Sequence, residues 1–240
     1  LPIEDILFPI ADFYLKKERW NEAIEVYEEM ETIGALQGRG AEYYQKLGYA
    51  LQKNKKYAEA IDAYLKADTL KPDNIWNNRH LAICYRLNRN YQAALSYYKK
   101  VEEATPEDTN VIFHIGSCLA ELGQYEEAAN YFFKLDFIES NCIKAWRGIG
   151  WCSFISRKYE QAMKYYEKII EQKPLAIDYM NAGHVAWTMG DIQKAAALYG
   201  KSITANGNRE RFLEMFRKDK EALLKQGIQE EDIPLMLDLL

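Results

Sequence analysis

Histidine and cysteine are the side chains in this sequence most able to do chemistry, and they are few and regularly spaced. The histidines are His80, His114 and His184, and the first two lie 34 residues apart. A neighbouring pair of histidines would suit a metal ion or a proton sensor. A zinc site, however, needs about four ligands at roughly 2.1 Å, and no cysteine or carboxylate is spaced to complete one. We therefore predict no metal site.

Three of the four cysteines share the same interval. Cys84, Cys118 and Cys152 follow one another at steps of 34 residues. If that interval reflects stacked helices about 8–10 Å apart, the Cα atoms lie beyond disulfide reach. We expect small buried thiols, which indicates a reducing compartment. Cys142 lies outside the series in a predicted turn, where we expect it to be exposed.

The local motifs of common enzyme classes are absent from the sequence. It contains no G-x-x-x-x-G-K-[ST], H-E-x-x-H, C-x-x-C or G-x-S-x-G segment. Its carboxylates fall on helix faces that we expect to be exposed. The chain is therefore predicted to be non-enzymatic and to need no cofactor.

The 34-residue interval organises most of the chain. When each repeat is numbered from its first residue, position 8 is small, position 20 is alanine and position 24 is aromatic. A fixed period of this length indicates a stacked-repeat protein. The clearest pairs are Ala60 with Ala94, Tyr64 with Tyr98, and Pro72 with Pro106. Six repeats begin near Glu4, Ala41, Ile75, Thr109, Ile143 and Ala176.

The pattern of residues within each repeat predicts two helices. Apolar or small residues at positions 4, 7, 8 and 11, and again at 17, 20, 24 and 27, have helical spacing. A short polar turn such as Leu122-Gly123-Gln124 separates the two helices. We expect the small residues at positions 8 and 20 to let the helices approach closely, with the aromatic residue at position 24 beside them. Pro9 falls inside the first predicted helix, so that helix is short, kinked or begins at Pro9.

The pattern resembles the tetratricopeptide repeat, whose signature is W-x2-L-G-x2-Y, then A-x3-F, then P. Leu47-Gly48, Ile115-Gly116, and Trp146 with Ile149-Gly150 match the first half of that signature, and the alanine, aromatic and proline positions match the second. The resemblance covers about residues 4–209. It implies an all-α, right-handed superhelical solenoid of about six helix-turn-helix units with C-terminal capping helices. We expect the array to span residues 1–208, with units near 4–40, 41–74, 75–108, 109–142, 143–175 and 176–208, and the capping region to span 209–240.

Composition excludes several classes of function. The 240 residues are 48% hydrophobic, which is ample for a core shared between neighbouring repeats. A net charge of −5 disfavours nonspecific nucleic-acid binding. No apolar run is long enough for a membrane span, and no signal peptide is visible, so we expect a cytoplasmic protein. The chain starts at Leu1 without a methionine, which suggests a piece of a longer protein or a removed leader.

The family resemblance also implies where a partner would bind. In the tetratricopeptide repeat the first helix of each unit lines a concave groove, and positions 2, 5, 9, 12 and 13 point into it. In the second to fifth repeats these positions hold five basic and two acidic residues together with several aromatic ones. Aromatic and arginine side chains are enriched at binding hot spots. The predicted partner-binding residues are Tyr49, Lys53, Trp76, Arg79, Arg86, Phe113, Lys144, Arg147, Trp151, Phe154 and Trp187.

We expect the partner to be another protein or a peptide with apolar anchors and acidic groups. The alternative is that the aromatic residues are extra packing between repeats and the arginines lie on a solvated edge. Some members of the family grip a C-terminal carboxylate with lysine and asparagine at set positions. Here Gln45, Tyr49 and Ile83 occupy those positions, so a carboxylate clamp is not predicted.

The C-terminal region predicts a different role. Residues 209–226 read as one amphipathic helix with Phe212, Phe216 and Leu223 on its apolar side, suited to cap the last repeat. Residues 233–240 are too apolar to be left in water, so they pack on the cap, continue into further sequence or pair with another chain. Self-association through the apolar terminal segments is therefore an alternative function. A third possible function is that the chain is the regulatory region of a longer protein.

Overall fold

The computed structural model describes residues 3–34, 36 and 38–240, apart from the side chain of Glu4. Within these ranges the chain forms fourteen α-helices and no β-strand, which confirms the all-α fold class. None of the helices in the described ranges is long and apolar enough to cross a membrane. The helices form two compact units, the first ending at Val111 and the second spanning Ile112–Leu240. Leu1, on which the expectation of a longer protein rests, lies outside the described residues.

The first unit consists of three consecutive helical hairpins. Its core contains the fully buried tyrosines Tyr27, Tyr43 and Tyr64 among smaller aliphatic side chains. The hydroxyl of Tyr43 donates a 2.6 Å hydrogen bond to the backbone carbonyl of Tyr27, so this buried phenol joins two neighbouring helices. The helices are α1 (Glu4–Lys16), α2 (Trp20–Thr32), α3 (Gly40–Lys53), α4 (Tyr57–Leu70), α5 (Ile75–Leu87) and α6 (Tyr91–Ala104).

The second unit continues the hairpin pattern and adds two helices after it. Helix α7 begins at Thr109, three residues before the second unit begins at Ile112. We call the odd-numbered helices from α1 to α11 the first helices and the even-numbered helices from α2 to α12 the second helices. The helices of this unit are α7 (Thr109–Glu121), α8 (Tyr125–Ile138), α9 (Ile143–Ile155), α10 (Tyr159–Ile170), α11 (Ala176–Thr188), α12 (Ile192–Asn206), α13 (Arg209–Lys225) and α14 (Asp232–Asp238).

The small residue at position 8 lies against the aromatic residue at position 24, as predicted. A Cβ atom added at Gly48 would come within 2.8 Å of the ring of Tyr64. The same addition at Gly183 would come within 2.5 Å of Tyr199. In these two repeats a side chain larger than hydrogen would therefore require the aromatic ring or its helix to shift. Ala11 and Ala82 occupy the same position in the first and third repeats, where both are buried.

Each hairpin turns at the same repeat position in the left-handed backbone region. Position 15 holds glycine in two repeats, where Gly123 has φ 77° and Gly190 has φ 85°. The other four repeats place a larger residue there with φ between 56° and 63°: Glu18, Lys55, Arg89 and Arg157. The following backbone N–H then bonds to the carbonyl five residues earlier, which closes the first helix.

Pro9 does not shorten the first helix. Helix α1 runs from Glu4 to Lys16 with Pro9 inside it, and its 13 residues match the length of α5, α7, α9 and α11. Pro9 has no backbone N–H, so the carbonyl of Asp5 has no helical hydrogen-bond donor. Both residues are exposed, so this carbonyl lies near solvent. The prediction of a helix that starts at Pro9 is therefore wrong.

Helix α13 caps the last hairpin as predicted. Phe212 and Phe216 are buried, and their ring centroids lie 5.6 and 5.7 Å from that of Tyr199. The apolar end of the chain then forms α14, which packs back on the second unit through one face only. Ile233 and Met236 are buried, whereas Leu235 on the same helix is 64% exposed.

Candidate partner-binding surface

An apolar pocket opens between the first helices α7 and α9 of the second unit. Its volume is about 370 Å³, which lies within the size range of small-ligand and side-chain pockets. Phe113 and Trp151 form its half-buried walls, and Phe132 from α8 lies beneath them. The pocket is lined by Phe113, Ser117, Ala120, Glu121, Phe132, Lys144, Arg147, Gly148, Trp151 and Cys152.

Gly148 makes room for the floor of this pocket. A Cβ atom added there would come within 2.5 Å of the ring of Phe132. The repeat pattern predicts that the aromatic residue at position 24, here Phe132, is a packing residue, and it does not predict a groove position for Gly148. A signal was present, because position 6 holds a large side chain in the neighbouring repeats, as at His114 and Asn181.

The basic residues beside the pocket are largely paired within the chain. The Nε and Nη2 atoms of Arg147 lie 2.7 and 2.8 Å from the two carboxylate oxygens of Asp178. Asp178 is fully buried and also accepts a 2.7 Å hydrogen bond from the backbone N–H of Leu175. Hydrogen bonding to Asp178 raises the pKa of Arg147. Arg147 therefore has a structural partner, Asp178, that the sequence alone does not predict.

Lys144 lies at the edge of the same pocket with a more solvated partner. Its Nζ atom is 3.4 Å from a carboxylate oxygen of Glu139 and 5.7 Å from the ring centroid of Phe113. An exposed ion pair of this kind contributes little stability. The ammonium group can therefore turn toward an incoming acidic group at low cost.

Two predicted groove residues are core residues instead. Phe154 is 1% exposed and Trp187 is 5% exposed, so neither presents its ring to solvent. The ring centroid of Phe154 lies 6.2 Å from that of Tyr159 and 6.4 Å from that of His184. Trp187 is covered by helix α13, which the sequence predicted only as a cap at the end of the array. Phe216 of α13 stacks on Trp187 with ring centroids 6.4 Å apart.

The end of α13 also reaches the turn that follows α9. Gln226 donates a 3.3 Å hydrogen bond through Nε2 to the carbonyl of Ile155, and its Oε1 accepts a 2.9 Å bond from Tyr159. Arg157 donates to the carbonyl of Lys225 at 3.0 Å. These contacts tie the C-terminal end of α13 to the turn between α9 and α10.

A second group of predicted residues lies on the first unit. Trp76 is 43% exposed, and its rings lie 4.0 Å from His80 and 6.2 Å from Tyr49, measured between centroids. Lys53 is exposed and places its Nζ atom 5.3 Å from the Tyr49 ring centroid. These residues form an exposed aromatic ledge with one ammonium group beside it.

The arginines of this unit have partners inside the unit. Arg79 lies 2.9 Å from a carboxylate oxygen of Asp108. Arg86 donates a 3.4 Å hydrogen bond through Nε to the hydroxyl of Tyr98. Their side chains are half-buried, so part of their hydrogen-bonding capacity already serves the hairpins.

His80 is held as a neutral imidazole. Its Nδ1 atom lies 2.8 Å from Oε1 of Gln52, which also accepts a 3.0 Å bond from the hydroxyl of Tyr64. Burial lowers the pKa of His80 to about 4, and the positive charges of Lys53 and Arg79 act in the same direction. Across the described residues, no group of three or more His, Cys, Asp or Glu side chains could hold a metal ion.

All four cysteines are free and buried. Burial raises the pKa of Cys84 and of Cys152 to about 12, which keeps these thiols protonated and unreactive. Cys142 is only 7% exposed and packs with Ile112, Leu135 and Ala145. The expectation that it is exposed is therefore wrong, because the turn that contains it is pressed against the hairpin core.

Several family profiles match this chain, and all are described as Tetratricopeptide repeat. One matches residues 86–152, a second matches 41–74, 143–174 and 179–209, and a third matches 7–37. The chain belongs to the tetratricopeptide repeat family. None of these profiles describes a catalytic family. No curated protein sequence matches the chain.

Solved structures share the fold of this repeat protein. A tetratricopeptide repeat protein from Parabacteroides merdae superposes with a TM-score of 0.68 at 19% identity, covering 98% of each chain. YrrB, described as a TPR protein with an unusual peptide-binding site, gives 0.63 at 20% identity over 79% of this chain and 96% of its own. MamA from Desulfovibrio magneticus RS-1 gives 0.63 at 18% identity over 70% and 93%.

Proposed function

We propose that this chain is a non-catalytic scaffold that binds a segment of another protein on its first-helix surface, with a bulky apolar side chain of that segment seated between α7 and α9. The observation that carries the proposal is the open apolar pocket between Phe113 and Trp151, with Phe132 as its floor. Large aromatic walls around a small cavity are typical of protein hot spots. The family of the chain, whose members serve as interaction scaffolds, supports the same conclusion.

The charged residues around the pocket indicate which side chains the partner segment should carry. Arg147 is already neutralised by Asp178, so it adds little net attraction for an acidic group. Lys144 is the cation with the most solvated partner at the rim. The partner segment should therefore carry an apolar anchor with one acidic residue close to it, rather than an acidic run.

Selection of a random peptide library on the immobilised full chain tests this proposal. Enriched peptides should contain a bulky apolar residue next to an acidic one. Their affinity should fall at least tenfold for Trp151→Ala, because the substitution removes one wall of the pocket. Lys144→Glu should weaken binding by a smaller factor and reduce its dependence on salt.

Tyr165→Ala is the matched control. Tyr165 is also half-buried and aromatic, but it lies on the second helix α10, where its ring packs against Phe133. Thermal melts of both variants check that they remain folded. Peptides that bind wild type and Trp151→Ala equally, and lose affinity for Tyr165→Ala, would place the site on the second helices and contradict the proposal.

A further inference from the structure

The first helix exposes a face that every other first helix buries. In α3 the residues at repeat positions 3, 7 and 10 are Tyr43, Leu47 and Ala50, and all three are buried. The same positions are also buried in α5, α7, α9 and α11. In α1 these positions belong to Ile6, Ile10 and Phe13.

These three side chains of α1 are 48%, 40% and 53% exposed. Ile3, one turn before Ile6, is 51% exposed and extends the same stripe. The spacing of three, four and three residues places all four on one side of the helix. In α3 the equivalent face is covered by α2, where Tyr27 meets Tyr43 with ring centroids 5.6 Å apart. Among the described residues nothing covers the stripe on α1.

A second exposed apolar surface lies beside α14 in the second unit. Leu235 and Leu239, one turn apart, are 64% and 62% exposed, and Ile192 at the start of α12 is 43% exposed. Together with the buried Trp187 and Met236 they border a pocket of about 510 Å³. That volume is large enough for several aliphatic side chains.

The charges at the C-terminal end of the α1 stripe and in the lining of the α14 pocket are opposite. Lys16 and Lys17 are exposed at the end of the α1 stripe, and the Nζ atom of Lys17 lies 5.9 Å from the ring centroid of Phe13. Asp232 and Asp238 line the α14 pocket from the two ends of the helix, which contains no basic residue. An apolar stripe that ends in lysines thus matches an apolar pocket with an aspartate at either end.

We propose that the α1 stripe of one copy of this chain docks into the α14 pocket of a second copy. The contact is heterologous, because it joins different surfaces of the two molecules. Repetition of a heterologous contact produces an open chain or a closed ring. The inference is independent of the proposed peptide site, since neither surface includes Phe113 or Trp151.

Sedimentation velocity of the full chain at increasing concentration tests the proposal. Wild type should show a sedimentation coefficient that rises with concentration. Ile10→Asp and Leu235→Asp should each weaken self-association at least tenfold. Ile33→Asp and Phe137→Asp are controls, since these residues are 46% and 90% exposed but lie outside both surfaces. Circular dichroism melts check that all four variants are folded.

Mixing the two disruptive variants gives the sharpest result. Ile10→Asp retains an intact α14 pocket, and Leu235→Asp retains an intact α1 stripe. An equimolar mixture should therefore form a dimer that grows no further, although neither variant associates alone. Self-association that survives in Leu235→Asp but is lost in Ile10→Asp would indicate pairing of α1 with α1 and would overturn the proposal.

Charge reversal separates this contact from nonspecific apolar association. Lys16→Glu with Lys17→Glu should weaken association, as should Asp232→Lys with Asp238→Lys. A chain that carries all four substitutions should recover most of the lost association. Failure to recover, or a wild-type chain that stays monomeric at every concentration, would overturn the proposal.

Discussion

At the scale of single residues, the charged side chains of the first-helix surface serve the fold as much as any partner. Arg79 and Arg147 both occupy repeat position 5, and each pairs with an aspartate located around the start of the next repeat. The sequence predicted that both arginines lie on the groove side. It could not predict their partners, because Asp108 and Asp178 occupy different positions relative to the repeat period.

Removal of Arg147 should destabilise the second unit. Arg147→Ala leaves the carboxylate of Asp178 buried without its counter-charge, which costs about 3 kcal/mol in the free energy of unfolding. Lys53→Ala removes an exposed cation and should change that free energy by less than about 0.5 kcal/mol. Urea unfolding followed by circular dichroism compares the two variants.

The double substitution Arg147→Met with Asp178→Asn provides the control for this prediction. Asparagine keeps an acceptor for the backbone N–H of Leu175 but carries no charge. The double variant should therefore recover much of the stability lost in Arg147→Ala. If Arg147→Ala unfolds at the same urea concentration as wild type, the ion pair is not structural.

His80 should make stability fall at mildly acidic pH. The folded state holds its pKa at about 4, below the ordinary value near 6.5, so the unfolded chain takes up a proton first as pH falls. The neutral ring contributes roughly 2–3 kcal/mol to the free energy of unfolding. This contribution is complete above pH 6.5 and is lost as the pH falls toward 4. His80→Phe should flatten the dependence of unfolding free energy on pH across this window. An NMR titration that gives His80 an ordinary pKa would contradict the prediction.

At the scale of helices and turns, the sequence predicted the hairpins well and the backbone of their turns only in part. Glycine at positions 123 and 190 signalled a turn directly. The same left-handed conformation is adopted by Lys55, Arg89 and other larger residues, for which no local signal exists. There the hairpin packing determines the backbone and outweighs the preference of the residue.

Two glycines of the last hairpin should respond oppositely to alanine. Gly190 has φ 85°, so Gly190→Ala introduces left-handed strain of about 1–2 kcal/mol. Gly200 lies inside α12 with open space around its Cα atom, so Gly200→Ala should stabilise by about 0.5–1 kcal/mol. Thermal unfolding of both variants tests this. Two shifts in the same direction would contradict the assigned backbone geometry.

At the scale of the whole molecule, the repeat period was enough to predict the fold class and the family. It was not enough to predict which surface remains open. The burial of Trp187 follows from α13, a helix outside the period, whose Phe216 stacks on it. The end of the same helix reaches the last residue of α9 through Gln226. A repeat pattern describes contacts between repeats and is silent on segments that do not repeat.

The buried tyrosines should make the whole chain sensitive to alkali. Burial raises the pKa of Tyr27, Tyr43 and Tyr64 above the ordinary value near 10. Above that pH the unfolded chain loses phenolic protons that the folded chain keeps. The contribution of these tyrosines to the free energy of unfolding is therefore complete below pH 10 and declines above it. Ultraviolet absorbance of tyrosinate should rise together with the loss of helical circular dichroism. Ionisation of all tyrosines before unfolding would contradict this coupling.

The central claim is that a partner segment lies on the first helices at the α7–α9 pocket, and site-specific photo-crosslinking tests it most directly. A photoreactive phenylalanine analogue is placed at Ala120, which lines the pocket, or at Ala129, which lies on the second helix α8 and is similarly half-buried. The probe is a peptide selected by the full wild-type chain. We predict a crosslink to the peptide from position 120 and none from position 129. A crosslink from position 129 alone would contradict the account.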